Sequence, residues 1–157
     1  MTAKLMRDFA NRIASASPQD EKNLFNDAQE LFADAITAVE ATRWHELICF
    51  GAFNEAAIAI YQKVLAERGF QFGPLAYDAR AAVRSRGLAS SWRIGDDHAA
   101  VHSAATPALA LLHAAMADSA KSMEECETAN CSLCGGLGWF LTATNDKELC
   151  RHARQVA

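Results

Sequence analysis

The residues with the clearest chemical potential are cysteines gathered near the C-terminus. Four of the five cysteines lie in the last 32 of the 157 residues, at Cys126, Cys131, Cys134 and Cys150. Two residues separate Cys131 from Cys134, a spacing that lets two thiolates reach one metal ion from a tight turn. Cys150 would supply a third thiolate, and Cys126 or His152 the fourth ligand. The pattern predicts a structural zinc site of four cysteines, or of three cysteines and one histidine.

The run at 131–138, Cys-Ser-Leu-Cys-Gly-Gly-Leu-Gly, resembles the CxxCxGxG zinc modules of DnaJ-type chaperones and of some small phage-like regulators. The resemblance covers these eight residues and implies zinc binding. Those modules repeat the motif, whereas Cys150 is followed here by Arg151 and His152. The fourth ligand therefore stays open between Cys126 and His152, and no chaperone function is implied.

The same cysteines allow a second kind of metal centre, an iron–sulfur cluster. Cys126-x4-Cys131-x2-Cys134 with a later Cys150 matches the ligand order of plant-type iron–sulfur proteins. That family is β-rich with a long gap before its last cysteine, whereas this chain favours helix and its gap is short. Zinc is therefore the favoured metal. An iron–sulfur cluster is less favoured, and free or disulfide-forming cysteines are the third alternative.

Histidines elsewhere offer weaker candidate sites. His98 and His102 are four residues apart and would share a helix face, but without a glutamate motif we expect exposed polar histidines. His113 lies on an apolar face and is expected to be a core residue. A di-iron site built from Glu46, Glu55 and these histidines is a minor alternative, because the Glu-x-x-His motif of such sites is absent.

Motifs for nucleophilic catalysis and nucleotide binding are absent from the sequence: it contains no GxSxG, no P-loop and no Rossmann fingerprint. Cys49 and His45 are helical neighbours, but a cysteine within an apolar helix is expected to be a small, inert core residue. Together with a closed metal site, this indicates a non-catalytic protein.

One basic cluster comprises Arg80, Arg84, Arg86 and Arg93, with Trp92 beside it. Such a cluster could bind phosphate or an acidic protein surface, although a solvated helix face explains it equally well. The net charge of −4 and the pI of about 5.7 give no general attraction to nucleic acid. Any contact with DNA or RNA would therefore be local.

Composition and periodicity favour helix, since 51% of the residues are hydrophobic, many of them alanine, and prolines number three. We predict an all-α fold, a compact bundle of about six helices with a small zinc-knuckle-like lobe. Residues 1–125 would form the helical domain and 126–157 a cysteine-rich metal-binding lobe packed on it. The predicted helices cover 3–16, 18–39, 43–68 (the most buried), 74–86, 96–105, 106–126 and 146–154. Thr42 would cap the helix over 43–68, Gly69 would end it as a left-handed cap, and Thr106-Pro107 would begin the helix over 106–126. A break is predicted at 70–73, a loop at 88–95 and one strand at 139–142.

The expected compartment is the cytoplasm, because no apolar run approaches membrane-spanning length and the N-terminus lacks a signal-peptide core. The predicted function is a small non-catalytic regulatory or interaction protein, stabilised by zinc, with a protein partner and no membrane association. A homodimer is a further option. The alternatives are a nucleic-acid-binding regulator that uses the basic cluster and the zinc lobe, and an iron–sulfur or di-iron redox protein.

Overall fold

The computed structural model describes residues 2–74, 86–93, 99–128, 139–141 and 147–149, with side chains up to residue 124. Helices dominate the first part of the chain, and strands separate them from the long helix that follows. The elements are α1 Ala3–Ser15, a short 3-10 turn Pro18–Asp20, α2 Glu21–Leu31, α3 Ala38–Cys49, α4 Phe53–Val64, β1 Arg68–Pro74, β2 Gly87–Arg93, β3 Ala100–Ala104, α5 Pro107–Thr128, β4 Trp139–Leu141 and β5 Lys147–Leu149.

The prediction of an all-α bundle is wrong, because the described chain contains a three-stranded antiparallel sheet in the order β1-β2-β3. Its strands occupy the segments predicted as a helix break, a loop and a short helix. The sequence of β2, GLASSWR, consists mostly of small residues with little strand propensity of their own. Pairing with both neighbours stabilises it, and such long-range pairing leaves no local signal.

The helix predicted over residues 43–68 is two helices, α3 and α4. Thr37, and not Thr42, caps α3, since its hydroxyl accepts from the Glu40 amide at 3.2 Å while the Glu40 carboxylate accepts from the Thr37 amide at 2.7 Å. The left-handed glycine is Gly51, at φ +72°, directly after α3. Gly69 instead lies in β1, where a Cβ atom would approach the Trp92 indole to 2.4 Å.

The most buried helix is α5, not the segment 43–68 for which that position was predicted. It packs against α1, α4 and the inner face of the sheet. Because it has neighbours on all these sides, apolar residues are buried around most of its circumference. These include Leu109, Leu111, Leu112 and Met116, all fully buried. A polar residue on this helix therefore requires a partner within the protein.

Two short strands follow α5 in the chain. The strand predicted at 139–142 is confirmed as β4, and it pairs antiparallel with β5. A terminal helix over 146–154 is wrong for residues 147–149, which form β5. Among the described residues, none of the helices combines the length and apolar character needed to cross a bilayer.

Candidate functional site

A buried carboxylate on α5, that of Asp118, contacts all three strands of the sheet. Its side chain is 5% exposed, and its Oδ2 atom lies 3.3 Å from the guanidinium group of Arg68 in β1. Its other oxygen, Oδ1, lies 3.4 Å from Nε2 of His102 in β3. The hydroxyl of Ser91, in β2, donates to Oδ2. One side chain therefore makes a polar contact between the helix and every strand of the sheet.

Sheet register explains why these three partners meet the same carboxylate. Ser91 is paired with Phe70, and His102 is paired with Ala89. Side chains two apart on a strand share a face, as do those of paired residues, so Arg68, Ser91 and His102 all lie on one face. That face is the one packed on α5, which carries Asp118.

Two further polar side chains border this group. The Tyr61 hydroxyl, from α4, is fully buried and donates to the Gly69 carbonyl at 3.4 Å. The His113 ring, from α5, lies edge-on to the His102 ring with centroids 5.1 Å apart. We call Tyr61, Arg68, Ser91, His102, His113 and Asp118 the Asp118 cluster.

Burial and charge act in opposite directions on these groups. Burial opposes ionisation of Asp118, but His102, Ser91 and the positive charge of Arg68 outweigh it and hold the pKa of Asp118 below its usual value. Burial, and then the neighbouring His102, lower the pKa of His113. Burial raises the pKa of Tyr61. At neutral pH the cluster therefore combines an ionised aspartate and arginine with a neutral His113 and a neutral tyrosine.

The hydrogen-bonding capacity of the Asp118 cluster is not fully used. Arg68 Nε, His102 Nε2 and His113 Nδ1 are buried and have no hydrogen-bond partner among the described residues. His102 Nε2 is within ion-pairing distance of Asp118, but its alignment is not that of a hydrogen bond. Unpartnered buried polar atoms are few in folded proteins, and those that persist point to strain or function.

Serine, histidine and aspartate come together here, although the sequence offered no visible set of acid, base and nucleophile. Their order differs from that of a nucleophilic triad, because the carboxylate lies between the hydroxyl and the imidazole. The Ser91 hydroxyl donates to Asp118 rather than to His102, so the imidazole is not placed to activate it. Ser91 is also fully buried. The arrangement therefore supports a polar network within the core rather than catalysis.

The predicted metal ligands Cys131, Cys134, Cys150 and His152 lie outside the described residues. Cys126 lies in α5, near the end of that helix. No group of three or more His, Cys, Asp or Glu side chains that could hold a metal is found among the described residues. This part of the chain therefore gives metal binding no support, and the cysteine site stays a prediction from sequence.

The predicted di-iron ligands are not assembled. The described residues Glu46, Glu55 and His102 do not form a metal-binding group, and His98 lies outside the described residues. His102, expected to be exposed on a short helix, is a strand residue whose side chain is 11% exposed. His113 is partly buried, close to the expected core position.

The predicted basic cluster is only partly described, because Arg80 and Arg84 lie outside the described residues. Arg86 is exposed just before β2, and Arg93 is partly buried at its far end. The seven steps between them span about 23 Å of extended chain. Arg93 is paired with Arg68 and so shares the inner face of the sheet. These two arginines do not form one patch, and nucleic-acid binding stays a prediction.

Cys49 was expected in the core, but it is exposed on α3. Its Sγ lies 3.4 Å from Nε2 of His45, one turn earlier on the same helix. The buried side of α3 is formed by Trp44 and Ile48 instead. Cys49 therefore lies on the solvent-facing side of α3, because the buried apolar stripe of this helix is narrower than the sequence indicated.

A cavity of about 290 Å³ lies where α2, α4 and α5 begin. Glu21 and Glu55 line it, together with Asn54 and Thr106. Burial raises the pKa of Glu21, although the Thr106 hydroxyl donates to its carboxylate. The partial positive charges of the nearby helix N-termini favour this carboxylate. Burial nevertheless outweighs these favourable contacts, so the folded state disfavours the ionised form of Glu21.

An apolar residue stands out on the surface at the end of α3. Phe50 is 86% exposed, and Val39, eleven residues earlier, is 79% exposed. Eleven residues are about three helical turns, so the two share a face. The exposed residues Arg43 and Glu46 lie between them on that face. We call Val39, Arg43, Glu46 and Phe50 the α3 outer face.

The turn after α3 fixes the position of Phe50. The Gly51 amide donates to the Ile48 carbonyl at 3.2 Å, and the Ala52 amide donates to the Leu47 carbonyl at 2.8 Å. These two bonds, with a left-handed Gly51, constitute a Schellman motif. Since the Phe50 amide donates to the Glu46 carbonyl at 3.0 Å, the amides of Phe50, Gly51 and Ala52 are all bonded. The exposed ring therefore extends from an ordered turn.

No family model, curated protein or solved structure matches this chain. Two features therefore carry the functional inference: the Asp118 cluster and the α3 outer face. Sequence reasoning singled out neither. Asp118 had a signal, because a lone aspartate among the alanines and leucines of an apolar helix requires buried partners. Phe50 had none, since its exposure depends on where α3 ends.

Proposed function

We propose that this protein is a small, non-catalytic regulatory or interaction protein of the cytoplasm, and that it binds a protein partner through the α3 outer face. The observation that carries the proposal is Phe50, a large aromatic side chain that is 86% exposed on an ordered turn. Burying a phenylalanine side chain contributes about 1.5–3 kcal/mol. Phe50 does not contribute that energy within its own fold, so it is available to a partner.

The chemistry of this face indicates what the partner offers. Aromatic residues are enriched at the centres of protein interfaces, where they fill apolar pockets. Phe50 and Val39 would enter such a pocket, and Arg43 and Glu46 would lie among polar or charged groups of the partner. A non-catalytic role is supported by the Asp118 cluster, in which the serine is buried and bonded to a carboxylate.

Replacing Phe50 tests the proposal without disturbing the core. Phe50→Ser should leave stability within about 0.5 kcal/mol, because exposed substitutions away from special features have small effects. Val101→Ser is the matched control, since Val101 is 65% exposed but lies on β3. Proteins that co-purify with each tagged variant from native cells would be compared by quantitative mass spectrometry, and light scattering would measure self-association.

A partner retained by the wild type and Val101→Ser but lost by Phe50→Ser supports the proposal. Loss of self-association in Phe50→Ser alone would identify the partner as a second copy of this chain. If Phe50→Ser retains every partner of the wild type, or if the wild type is monomeric and retains none, the proposal is wrong.

The zinc prediction, with iron–sulfur as its alternative, enters this function only as a source of stability for the C-terminal segment. Elemental analysis and an absorption spectrum of the purified protein decide between the two metals. Replacing Cys131 and Cys134 by serine should lower the melting temperature if the site is structural, because metal-binding energy then becomes folding energy. Unchanged melting would contradict a structural role.

A further inference from the structure

The contact between α5 and the sheet combines apolar packing with two titratable side chains of the helix. Asp118 contacts β1, β2 and β3, and the His113 ring lies edge-on to the ring of His102 in β3. The strand β3 is an edge strand, because the order β1-β2-β3 gives it one paired neighbour. It is therefore held by one strand ladder, with β2, and by its contacts with the helices α5 and α1.

Basic groups outnumber acidic ones at this contact. Asp118 is the only buried acidic residue among those that the structure describes. Glu67 and Lys121 are exposed nearby, on the chain before β1 and on α5. The charged or titratable groups that face the contact are Tyr61 from α4, Arg68 from β1, Arg93 from β2, His102 from β3, and His113 and Asp118 from α5.

We infer that the Asp118 cluster is an acid-sensitive latch, in which protonation of His113 releases the edge strand β3 from α5. At neutral pH the charge of Arg68 is offset by Asp118. A proton on His113 adds a positive charge beside the His102 ring, 5.1 Å away between centroids. Asp118 already contacts Arg68, Ser91 and His102, so a further buried counter-charge is not available among the described residues. Entry of water between α5 and β3 solvates the new charge at the smallest structural cost.

The direction of the response follows from the two shifted groups. The pKa of His113 lies below its ordinary value of 6.5, chiefly because of burial. The folded state therefore prefers neutral His113. The stability held by His113 is full above pH 6.5 and falls as the pH drops through 6.5 towards the lower folded pKa. The pKa of Asp118 lies below 3.8, so its contribution is lost only in much stronger acid. As the pH decreases, His113 therefore takes up its proton before Asp118 does.

Amide hydrogen exchange of the intact protein tests this latch at about pH 7.5 and about pH 5.5, which bracket the histidine range. Protection would be corrected for the intrinsic pH dependence of exchange. In the wild type, β3 should lose protection at the lower pH while α3 does not. At a pH below the pKa of His113 in both the packed and the released state, the protection of β3 falls about tenfold for each unit by which packing lowers that pKa.

His113→Gln is the informative variant, because glutamine keeps a polar side chain with donors and an acceptor but cannot take up a proton. Its β3 protection should not respond to pH. His45→Gln is the matched control, since His45 is exposed on α3 and should leave the wild-type response intact. Titration of the His113 ring by NMR in the wild type needs no variant, and it should show a midpoint below 6.5.

Three results would overturn the latch. They are unchanged β3 protection in the wild type between the two pH values, an equal loss in His113→Gln, and a His113 midpoint at or above its ordinary value. A His113→Gln protein that does not fold leaves the wild-type exchange and titration decisive.

Discussion

Two carboxylates of this protein make the same kinds of contact in opposite surroundings. Glu40, on α3, accepts from the backbone and hydroxyl of Thr37 and pairs with Lys63 at 3.0 Å, with 34% of its side chain exposed. Asp118, on α5, accepts from a serine hydroxyl and pairs with Arg68 at 3.3 Å, with 5% exposed. The two carboxylates therefore differ in their access to water rather than in the kinds of contact that they make.

The difference shows what burial adds to a polar contact. Water and salt can replace the partners of Glu40, so an exposed pair of this kind contributes about 0–1 kcal/mol. The partners of Asp118 have no such replacement, and removing one member of a buried pair leaves an uncompensated charge. The exposed site adjusts the stability of one helix end, whereas the buried site determines how three strands meet a helix.

Asp118→Ala should have the largest effect, a loss of about 3–5 kcal/mol, because Arg68 would remain buried without its counter-charge. Urea unfolding followed by circular dichroism measures it. Asp118→Asn is the matched variant, since it keeps an acceptor for Ser91 and should lose less. A loss below about 1 kcal/mol for Asp118→Ala would place Asp118 in the same class as an exposed pair.

Thr37→Ala should cost an intermediate amount, about 1 kcal/mol, because the capping hydroxyl of α3 is lost while the core is untouched. Thermal unfolding of this variant beside the wild type measures the change. Thr42→Ala is the control, since Thr42 was the sequence-predicted cap, but its hydroxyl donates to the Ala38 carbonyl within α3. An equal loss at Thr42 would show that the cap at Thr37 is not the cause.

Lys63→Gln should have the smallest effect, about 0.5 kcal/mol or less, because its partner Glu40 remains exposed to water. The effect should vanish in about 1 M sodium chloride, where charges are screened within a few ångströms. The loss in Asp118→Ala should persist in the same salt. Equal salt sensitivity of the two variants would remove the distinction between the buried and the exposed site.

Local signals determined which parts of the fold were predictable. Apolar periodicity located α1, and the pair Thr106-Pro107 located the start of α5, where the Thr106 hydroxyl accepts from the Leu109 amide at 3.1 Å. The sheet was not predictable in the same way. Its pairing joins residues such as Arg68 and Arg93, which are far apart in sequence. A strand of serine, alanine and glycine carries little preference until that pairing forms.

The site was harder to predict than the fold, because it depends on the sheet. Arg68, Ser91 and His102 share a face only once the register is known. The spacing of four residues between His98 and His102 suggested that the two histidines share a helix face. His102 lies instead in the strand Ala100–Ala104, so that expectation is wrong. Phe50 shows the same limit on the surface. Its exposure follows from Gly51, whose left-handed turn ends a helix that apolar periodicity alone would continue.

The place of Asp118 in the chain has a consequence for how the protein is made. During synthesis Arg68, Ser91 and His102 leave the ribosome before Asp118, which follows His102 by sixteen residues. Until α5 emerges, the inner face of the nascent sheet carries arginine and histidine without their carboxylate. We therefore expect the N-terminal helices to form first and the sheet to become ordered when α5 arrives. A ribosome-bound chain that ends before residue 118 should contain helices without a protected sheet.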